Sequence, residues 1–163
     1  MQQTPQRKRR WMGSATPKAP MQVMVDILIT KYGYESAFFR AANAGKIVIG
    51  RMLLDRKINA PRPDCQDGKA LRDAAMGGHT EFGRMLLDRE VNAPRPDCQD
   101  GRALLDAAKG GHTEFGCMLL DREVNAPRPD FDGCLVLLWA AHGGHTEFGR
   151  MLMDRARARP LRR

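Results

Sequence analysis

The sequence predicts an all-α solenoid in which short helix–turn–helix units stack side by side. Two features predict it. The string Gly-His-Thr-Glu-Phe-Gly occurs three times at a spacing of 33 residues, at 78–83, 111–116 and 144–149, and each copy leads into Met-Leu and then Asp-Arg. A weaker copy with a Met-Leu-Leu-Asp-Arg ending occupies 45–56, one period upstream. Periods of about 20 to 50 residues are typical of stacked repeats, because one such unit is too small to bury a core alone.

The composition is compatible with this architecture. Of the 163 residues, 42% are hydrophobic and only 6% are aromatic, so the core would consist mainly of Leu, Met, Ala and Val. Four Cys occur at 65, 98, 117 and 134 without a CxxC pair, and the first two occupy the same position of successive units. Copying explains that spacing, so we expect reduced thiols in an intracellular protein. No stretch approaches the roughly 20 apolar residues of a membrane span, so we expect a soluble chain.

The formal charge of +8 is concentrated at the two ends of the chain. Residues 1–20 hold five basic residues and residues 155–163 hold five Arg, and neither segment holds an acid. Removing those ten from the 27 basic residues leaves 17 against 19 acids, a net of −2 for the body of the chain. The sequence of the repeats therefore gives no sign of the basic surface that a nucleic-acid-binding fold would need.

Residues 1–20 are predicted to be a flexible basic tail, because prolines and Gly13 interrupt any apolar period. The tail contains a run of four cations: Arg7, Lys8, Arg9 and Arg10. Three interpretations of this run stay open, namely a solvated end, a nuclear-import signal and an organelle transit peptide. The prolines argue against the third, because they break a continuous amphipathic helix. At the other end, residues 157–163 are predicted to form an Arg-rich tail.

The repeat domain is predicted to span residues 21–156. It starts with half a unit at 21–33, where Gly33 ends a single helix. Four apolar residues at i, i+3, i+4 and i+7 form its predicted inward face: Met21, Met24, Val25 and Leu28. Full units follow at about 34–64, 65–97, 98–130 and 131–156. We expect the half unit to cover the open end of the stack.

The unit at 65–97 shows the expected helix pattern. Small apolar residues line one side of a first helix that Gly77-Gly78 ends: Ala70, Leu71, Ala74 and Ala75. A second helix begins near His79, and its inward face carries Phe82, Met85, Leu86 and Arg89. The connecting segment 91–101 contains two prolines, which exclude a helix there and disfavour a central strand. We expect an exposed, extended, hairpin-like loop that closes with a turn at Asp100-Gly101.

This succession of helix, Gly-rich turn, helix and extended loop resembles the ankyrin repeat over roughly residues 22–156. The motifs that carry the resemblance are Ala-Ala followed by Gly-His, at 74–79, 107–112 and 140–145, and Val-Asn at 91–92 and 124–125. The resemblance implies a stack whose first helices and loops form one concave binding face. It also implies that three His residues start the second helices and bond the backbone of the neighbouring unit: His79, His112 and His145.

The sequence departs from the family pattern in three ways. The Gly that ends the second helix in the family is absent after Asp88-Arg89-Glu90, and the segment from Asn92 to the next turn is two residues longer. The Thr-Pro-Leu-His of the first helix is reduced to its Leu, as in the stretch 69–72. The second helices contain Gly where the family prefers Val or Ile: Gly50, Gly83, Gly116 and Gly149. Each Gly costs about 0.5 to 1 kcal/mol relative to Ala, which predicts a weakly stable stack. The alternative is that these glycines let neighbouring helices approach closely.

The sequence contains no evident catalytic or metal-binding arrangement. The periodic His are explained as structural, Cys117 has no His at a suitable spacing, and the Gly-Gly pairs lack the frame of a phosphate-binding loop. We therefore expect no enzyme activity, no cofactor and no metal ion.

The resemblance places the candidate partner-binding residues on the concave face. The loop positions are Cys65, Gln66, Cys98, Gln99, Phe131 and Asp132, and the turn positions are Met76, Lys109 and His142. Because copying explains sameness, the last unit is of most interest, since Phe131, Trp139 and His142 differ from their counterparts. An exposed Phe131 would suit an interface anchor. Trp139 has an alternative interpretation, packing in the core or under the terminal tail.

Two functions compete at this level. The first is a non-catalytic, monomeric module of the cytoplasm or nucleus that binds an unknown partner protein. The second is binding of nucleic acid or another anionic surface through the two basic tails, with an affinity that falls steeply as salt is raised. Removal of both tails separates the two functions, because only the second depends on them.

Overall fold

The computed structural model describes residues 20–56, 61–62, 64–89, 94, 98–122 and 135–158. All the regular elements within these residues are α-helices, and none is a strand, so the predicted all-α class is confirmed. The helices are α1 Pro20–Tyr32, α2 Tyr34–Asn43, α3 Ile47–Leu54, α4 Cys65–Met76, α5 Thr80–Leu87, α6 Cys98–Gly110, α7 Thr113–Leu120, α8 Leu135–His142 and α9 Thr146–Ala158.

The helices pack in two rows. The first-helix row consists of α2, α4, α6 and α8, each in contact with the next. The second-helix row consists of α1, α3, α5, α7 and α9, again in sequence, and each first helix also contacts the second helix that follows it. The described chain is therefore an array of helix pairs with the single helix α1 at one end, in contact with α2 and α3.

The core runs between the two rows along the whole array. In α4 the predicted small face is fully buried, with no exposed surface on Ala70, Leu71, Ala74 and Ala75. In α5, Phe82 and Leu86 are fully buried and Met85 packs beside them. The predicted apolar inward faces of this unit are therefore confirmed. Small side chains let the first helices lie close together, while the large Phe82 ring fills the space between the two rows.

The glycines of the second helices make room for aromatic rings. A Cβ on Gly83 would lie 2.8 Å from a ring carbon of Phe115, and one on Gly50 would lie 2.5 Å from the ring of Phe82. Atoms that are not bonded to each other do not approach this closely without strain. The phenyl ring of each unit thus occupies the space above the glycine of the unit before it, which supports the close-approach interpretation.

Each unit is also joined to the previous one by an imidazole. The Nε2–H of His79 donates to the backbone carbonyl of Asn43 across 2.9 Å, and His112 donates to Met76 across 3.1 Å. Both His residues immediately precede a second helix, and their backbone amides donate to carbonyls near the end of the first helix. The periodic His residues therefore have a structural role in this array.

An ion pair links each second helix to the one before it. Arg89 Nη1 lies 3.7 Å from Asp55 Oδ1, and Arg122 Nη2 lies 2.7 Å from Asp88 Oδ1. Arg155 pairs with Asp121 in the same way. The helix α9 continues through Ala158 and so includes the first two residues of the predicted Arg-rich tail at 157–163.

The expected inward face of α1 is only partly right. Val25 is fully buried and Leu28 packs against the core, but Met21 and Met24 are 41% and 53% exposed. The buried stripe runs through Val25, Leu28 and Ile29 instead. Arg56 bonds Asp26 across 2.5 Å, which links α1 to the end of α3, while the two methionines face solvent.

Two described residues of the connecting loops differ from the expected exposed form. Pro61 and Pro94 are buried, and helical bonding already begins at Cys65 and Cys98. The backbone at Gln66, Asp67 and Gly68 is left-handed, with φ of 50°, 54° and 76°, so the chain turns sharply before α4 becomes regular. Gly101 also has a positive φ of 78°, which agrees with the predicted turn. The rest of each loop, including most of 91–97, lies outside the described residues.

Candidate partner-binding surface

Three predicted partner-binding residues lie at equivalent points of the first-helix row. Met76 ends α4 and is 56% exposed, Lys109 lies in the last turn of α6, and His142 ends α8. The side chains of Lys109 and His142 are also exposed. All three are at the carboxyl ends of neighbouring helices, so they lie along one edge of the array.

The remaining predicted site residues are placed less fully. Gln66 is exposed in the left-handed turn. Cys65 lies at the start of α4, and Cys98 and Gln99 lie at the start of α6, but the positions of their side chains are outside the described part of the chain. The same holds for the whole of Phe131, Asp132 and the basic run Arg7, Lys8, Arg9 and Arg10. Their proposed roles stay predictions.

Lys109, Trp139 and His142 form one aromatic and cationic cluster. Lys109 Nζ lies 4.9 Å from the centroid of the Trp139 ring, within the range of a cation–π contact. The Trp139 and His142 rings meet edge to face, with centroids 5.8 Å apart. Trp139 keeps 38% of its surface exposed. It is therefore not a core residue, and its indole is held in place while part of it faces solvent.

A buried carboxylate connects this cluster to the preceding unit. Asp106 is only 7% exposed, and its side chain lies between two cations. Arg72 Nε donates to Asp106 Oδ2 across 3.0 Å, and Lys109 Nζ lies 3.7 Å from Oδ1. The carboxylate thereby positions the cation that contacts Trp139, and it ties α4 to α6.

Asp73 extends the line of charges along α4. Partial burial raises the pKa of its carboxyl, and Asp106 acts in the same direction, whereas the nearby Lys69 and Arg72 act against it. Lys69 in turn lies over the ring of Phe39, 4.7 Å from its centroid. Because these side chains interact in sequence, we name them together the first-helix ribbon: Lys69, Arg72, Asp73, Asp106, Lys109, Trp139 and His142.

An open groove of about 760 Å³ lies at the other end of the ribbon. Tyr32, Phe39 and Arg40 line it together with Lys69 and Asp73. Arg40 lies over the Tyr32 ring, 4.3 Å from its centroid. The ribbon thus has aromatic residues accompanied by cations at both ends, an arrangement that suits contacts with acidic and apolar side chains.

Sequence reasoning did not select Arg72, Asp73 and Asp106. A signal was present, since Asp73, Asp106 and Trp139 occupy the same position of three successive units. Two carboxylates followed by an indole at one repeated position indicate a surface whose chemistry changes along the array. That Asp106 is buried between two cations depends on the packing of α4 against α6.

No protein-family model, no curated protein and no solved structure matches this chain. Its function is therefore inferred from the chemistry of its own surfaces.

Other kinds of site were sought in the same residues. The described ranges hold no group of three or more His, Cys, Asp or Glu placed to bind a metal ion. Nor does any helix there have the length and apolarity needed to cross a membrane. Cys117 lies half-buried in α7, where burial raises the pKa of its thiol and so disfavours the reactive thiolate.

Proposed function

We propose that this protein is a non-catalytic binding module of the ankyrin type, which binds a partner protein on its first-helix ribbon. One observation carries the proposal: Trp139 is 38% exposed while Lys109 and His142 both contact its ring. A partly exposed indole in a defined orientation loses little conformational freedom on binding and buries a large apolar area, which is why Trp dominates many interfaces.

The charges of the ribbon define the chemistry of the partner. Its acids are already engaged within the protein, since Asp106 is buried between two cations and the raised pKa of Asp73 reflects partial burial. The cations Lys69 and Lys109 remain accessible beside aromatic rings. We infer that the partner presents an apolar side chain to Trp139 and acidic side chains to these lysines.

The ankyrin assignment and the cellular location are parts of the same proposal. Support for the ankyrin type comes from the 33-residue spacing, the Ala-Ala and Gly-His motifs, and the bonds from His79 and His112 to the preceding unit. The absence of a CxxC pair suits reduced thiols, so the proposed location is the cytoplasm or nucleus. The protein is proposed to act there as a monomer.

Quantitative affinity capture with wild-type protein and the Trp139→Ala variant tests the proposal. Loss of a central aromatic anchor costs about 2 kcal/mol or more, so capture of the specific partner should fall about 30-fold. Val48→Ala is the matched control, because Val48 is an apolar residue 57% exposed on α3, in the other row. Equal capture by wild type and Trp139→Ala would contradict the proposal.

A second arm of the experiment addresses the tails. Deletion of residues 1–19 and 159–163 should leave the capture unchanged, because the ribbon contains none of these residues. If capture is lost on deletion and falls steeply with salt, binding is through the basic tails to an anionic surface, as in the competing function.

A further inference from the structure

Two of the contacts between successive units involve glycine. A Cβ on Gly78 would lie 2.4 Å from Nδ1 of His112, and one on Gly83 would lie 2.8 Å from the Phe115 ring. The same imidazole bonds the carbonyl of Met76 across 3.1 Å. These contacts repeat one unit later, where His145 lies over Gly111 and bonds Lys109, and Phe148 lies over Gly116.

The third recurring contact is the ion pair between second helices. Arg89 to Asp55 and Arg122 to Asp88 are separated by 34 residues each, and Arg155 to Asp121 has the same separation. One unit therefore presents a glycine in the turn, a backbone carbonyl, a glycine in the second helix and a carboxylate. The next unit fills them with His, Phe and Arg at i, i+3 and i+10.

The last unit presents the same groups with no unit beyond them in the described chain. A Cβ on Gly144 would meet nothing within 4 Å, and one on Gly149 would meet only Leu137 of its own unit, at 3.9 Å. Asp154 at the end of the series is exposed, and His142 supplies the corresponding carbonyl. We name this set, Gly144, Gly149, Asp154 and the His142 carbonyl, the terminal face.

Apolar side chains around the terminal face are more exposed than their counterparts in the previous unit. Leu138 is 64% exposed, whereas Leu105 at the same position of the previous unit is 8% exposed. Met153 is 47% exposed, whereas its counterpart Leu120 is 1% exposed. The following unit covers these positions inside the array, so the terminal face has the apolar and polar groups of an interface that occurs elsewhere in the protein in its occupied form.

We propose that the terminal face binds a helix–turn–helix unit of another protein, one that carries His, an aromatic residue and Arg at i, i+3 and i+10. The three internal interfaces define this occupant, because they show which group fills each position. The imidazole would bond the His142 carbonyl, the ring would cover Gly149, and the Arg would pair with Asp154.

A second copy of this chain does not offer these groups. Its His residues at 79, 112 and 145 already serve internal interfaces, and the fourth, His142, ends α8. Its opposite end consists of α1 and α2, which contain no His. The surface of α1 is apolar instead, with Val23 and Ile27 exposed by 44% and 59%. A second copy therefore does not supply the three groups that fill this kind of interface.

A labelled peptide of residues 102–122, which contains His112, Phe115 and Arg122, is the probe. Its binding to the full chain is followed by fluorescence anisotropy. We expect saturable binding that Gly149→Leu weakens at least about 10-fold, because the new side chain occupies the space for the ring. Arg150→Leu is the matched control, since Arg51 and Arg84 at the same position stay exposed inside the array.

A charge exchange gives an independent readout. Asp154→Arg should weaken binding several-fold, and the peptide with Arg122→Asp should restore it. Because the isolated peptide has to fold as it binds, a second measurement uses the full chain with residues 123–155 duplicated after Arg155. The added unit should raise the urea midpoint of unfolding, and Gly149→Leu should abolish the increase.

Three results would overturn the inference. One is equal peptide binding by wild type and Gly149→Leu, and another is absence of both peptide binding and stabilisation by the added unit. The third is sedimentation that finds dimers of wild type but monomers of Gly149→Leu, which would assign the terminal face to a second copy. None of these depends on Trp139, so the outcome is distinguishable from that of the proposed function.

Discussion

The phenyl ring of Phe115 lies directly over the backbone of Gly83, at a place where a Cβ would be 2.8 Å from the ring. The ring is fully buried, so it has little freedom to withdraw. Gly83 therefore lowers the helix propensity of α5, but it leaves room for a contact between two units that a larger residue would block.

Gly83→Ala should lower the free energy of unfolding by about 1 to 2 kcal/mol. The added methyl group improves helix propensity by about 0.5 to 1 kcal/mol, but overpacking of a rigid core costs about 1 to 3 kcal/mol. Urea denaturation followed by circular dichroism measures the difference.

Gly149→Ala is the matched control for that prediction, because the same position in the last unit is open. Here the helix propensity acts alone, so the free energy of unfolding should rise by about 0.5 to 1 kcal/mol. Two changes of the same sign would show that the ring does not determine the need for glycine.

The bond from His112 to the Met76 carbonyl should be measurable as stability. His112→Ala removes a donor and leaves space beside Gly78, and we expect a loss of about 1 to 2 kcal/mol in urea denaturation. His142→Ala, at an exposed imidazole, should change stability by less than about 0.5 kcal/mol. Similar losses in the two variants would contradict the structural role assigned to His112.

Asp106 should matter more for stability than other acids of the array. Its carboxylate is 7% exposed and accepts from Arg72, so Asp106→Ala should cost about 1 to 3 kcal/mol. Asp154→Ala, at an exposed carboxylate, should cost less than about 0.5 kcal/mol. Thermal unfolding followed by calorimetry compares the two variants. If Asp106→Ala does not lower the stability, the contacts of Asp106 with Arg72 and Lys109 do not stabilise the fold.

The raised pKa of Asp73 predicts a pH dependence of defined sign. A carboxyl whose pKa is higher in the folded state than in the unfolded state favours folding most below the unfolded value, and this contribution is lost as the pH rises through the folded value. The stability of Asp73→Asn relative to wild type should therefore rise as the pH is raised from about 3 to about 7, the range in which carboxyl groups titrate. Urea midpoints across this range test it, and a relative loss would reverse the sign of the inferred shift.

Much of the fold could be predicted because each helix pair is encoded within one repeat. The small face of α4, the buried Phe82 and Leu86, and the end of α1 before Gly33 all follow from local spacing. The face of α1 was partly mispredicted, since two overlapping stripes satisfy the same helical period. The packing of α1 against α2 and α3 buries one of them.

The candidate surface was predictable only in outline. Repeat positions indicated Lys109 and His142, and the change from Asp106 to Trp139 was visible as a departure from copying. The contact of Lys109 with the Trp139 ring was not predictable. It joins α6 to α8, and the spacing of these two helices along the chain does not set how they are rotated against each other.

The sequence by itself determined the helical class, the 33-residue unit and most of the apolar residues that the unit at 65–97 buries, because these depend on spacing within a few turns of chain. Only the tertiary structure decided that a ring covers each internal glycine, that Asp106 is buried between two cations, and that no neighbouring unit among the described residues covers the terminal face. Those features join residues about one period apart, so they depend on how closely and at what rotation successive units pack.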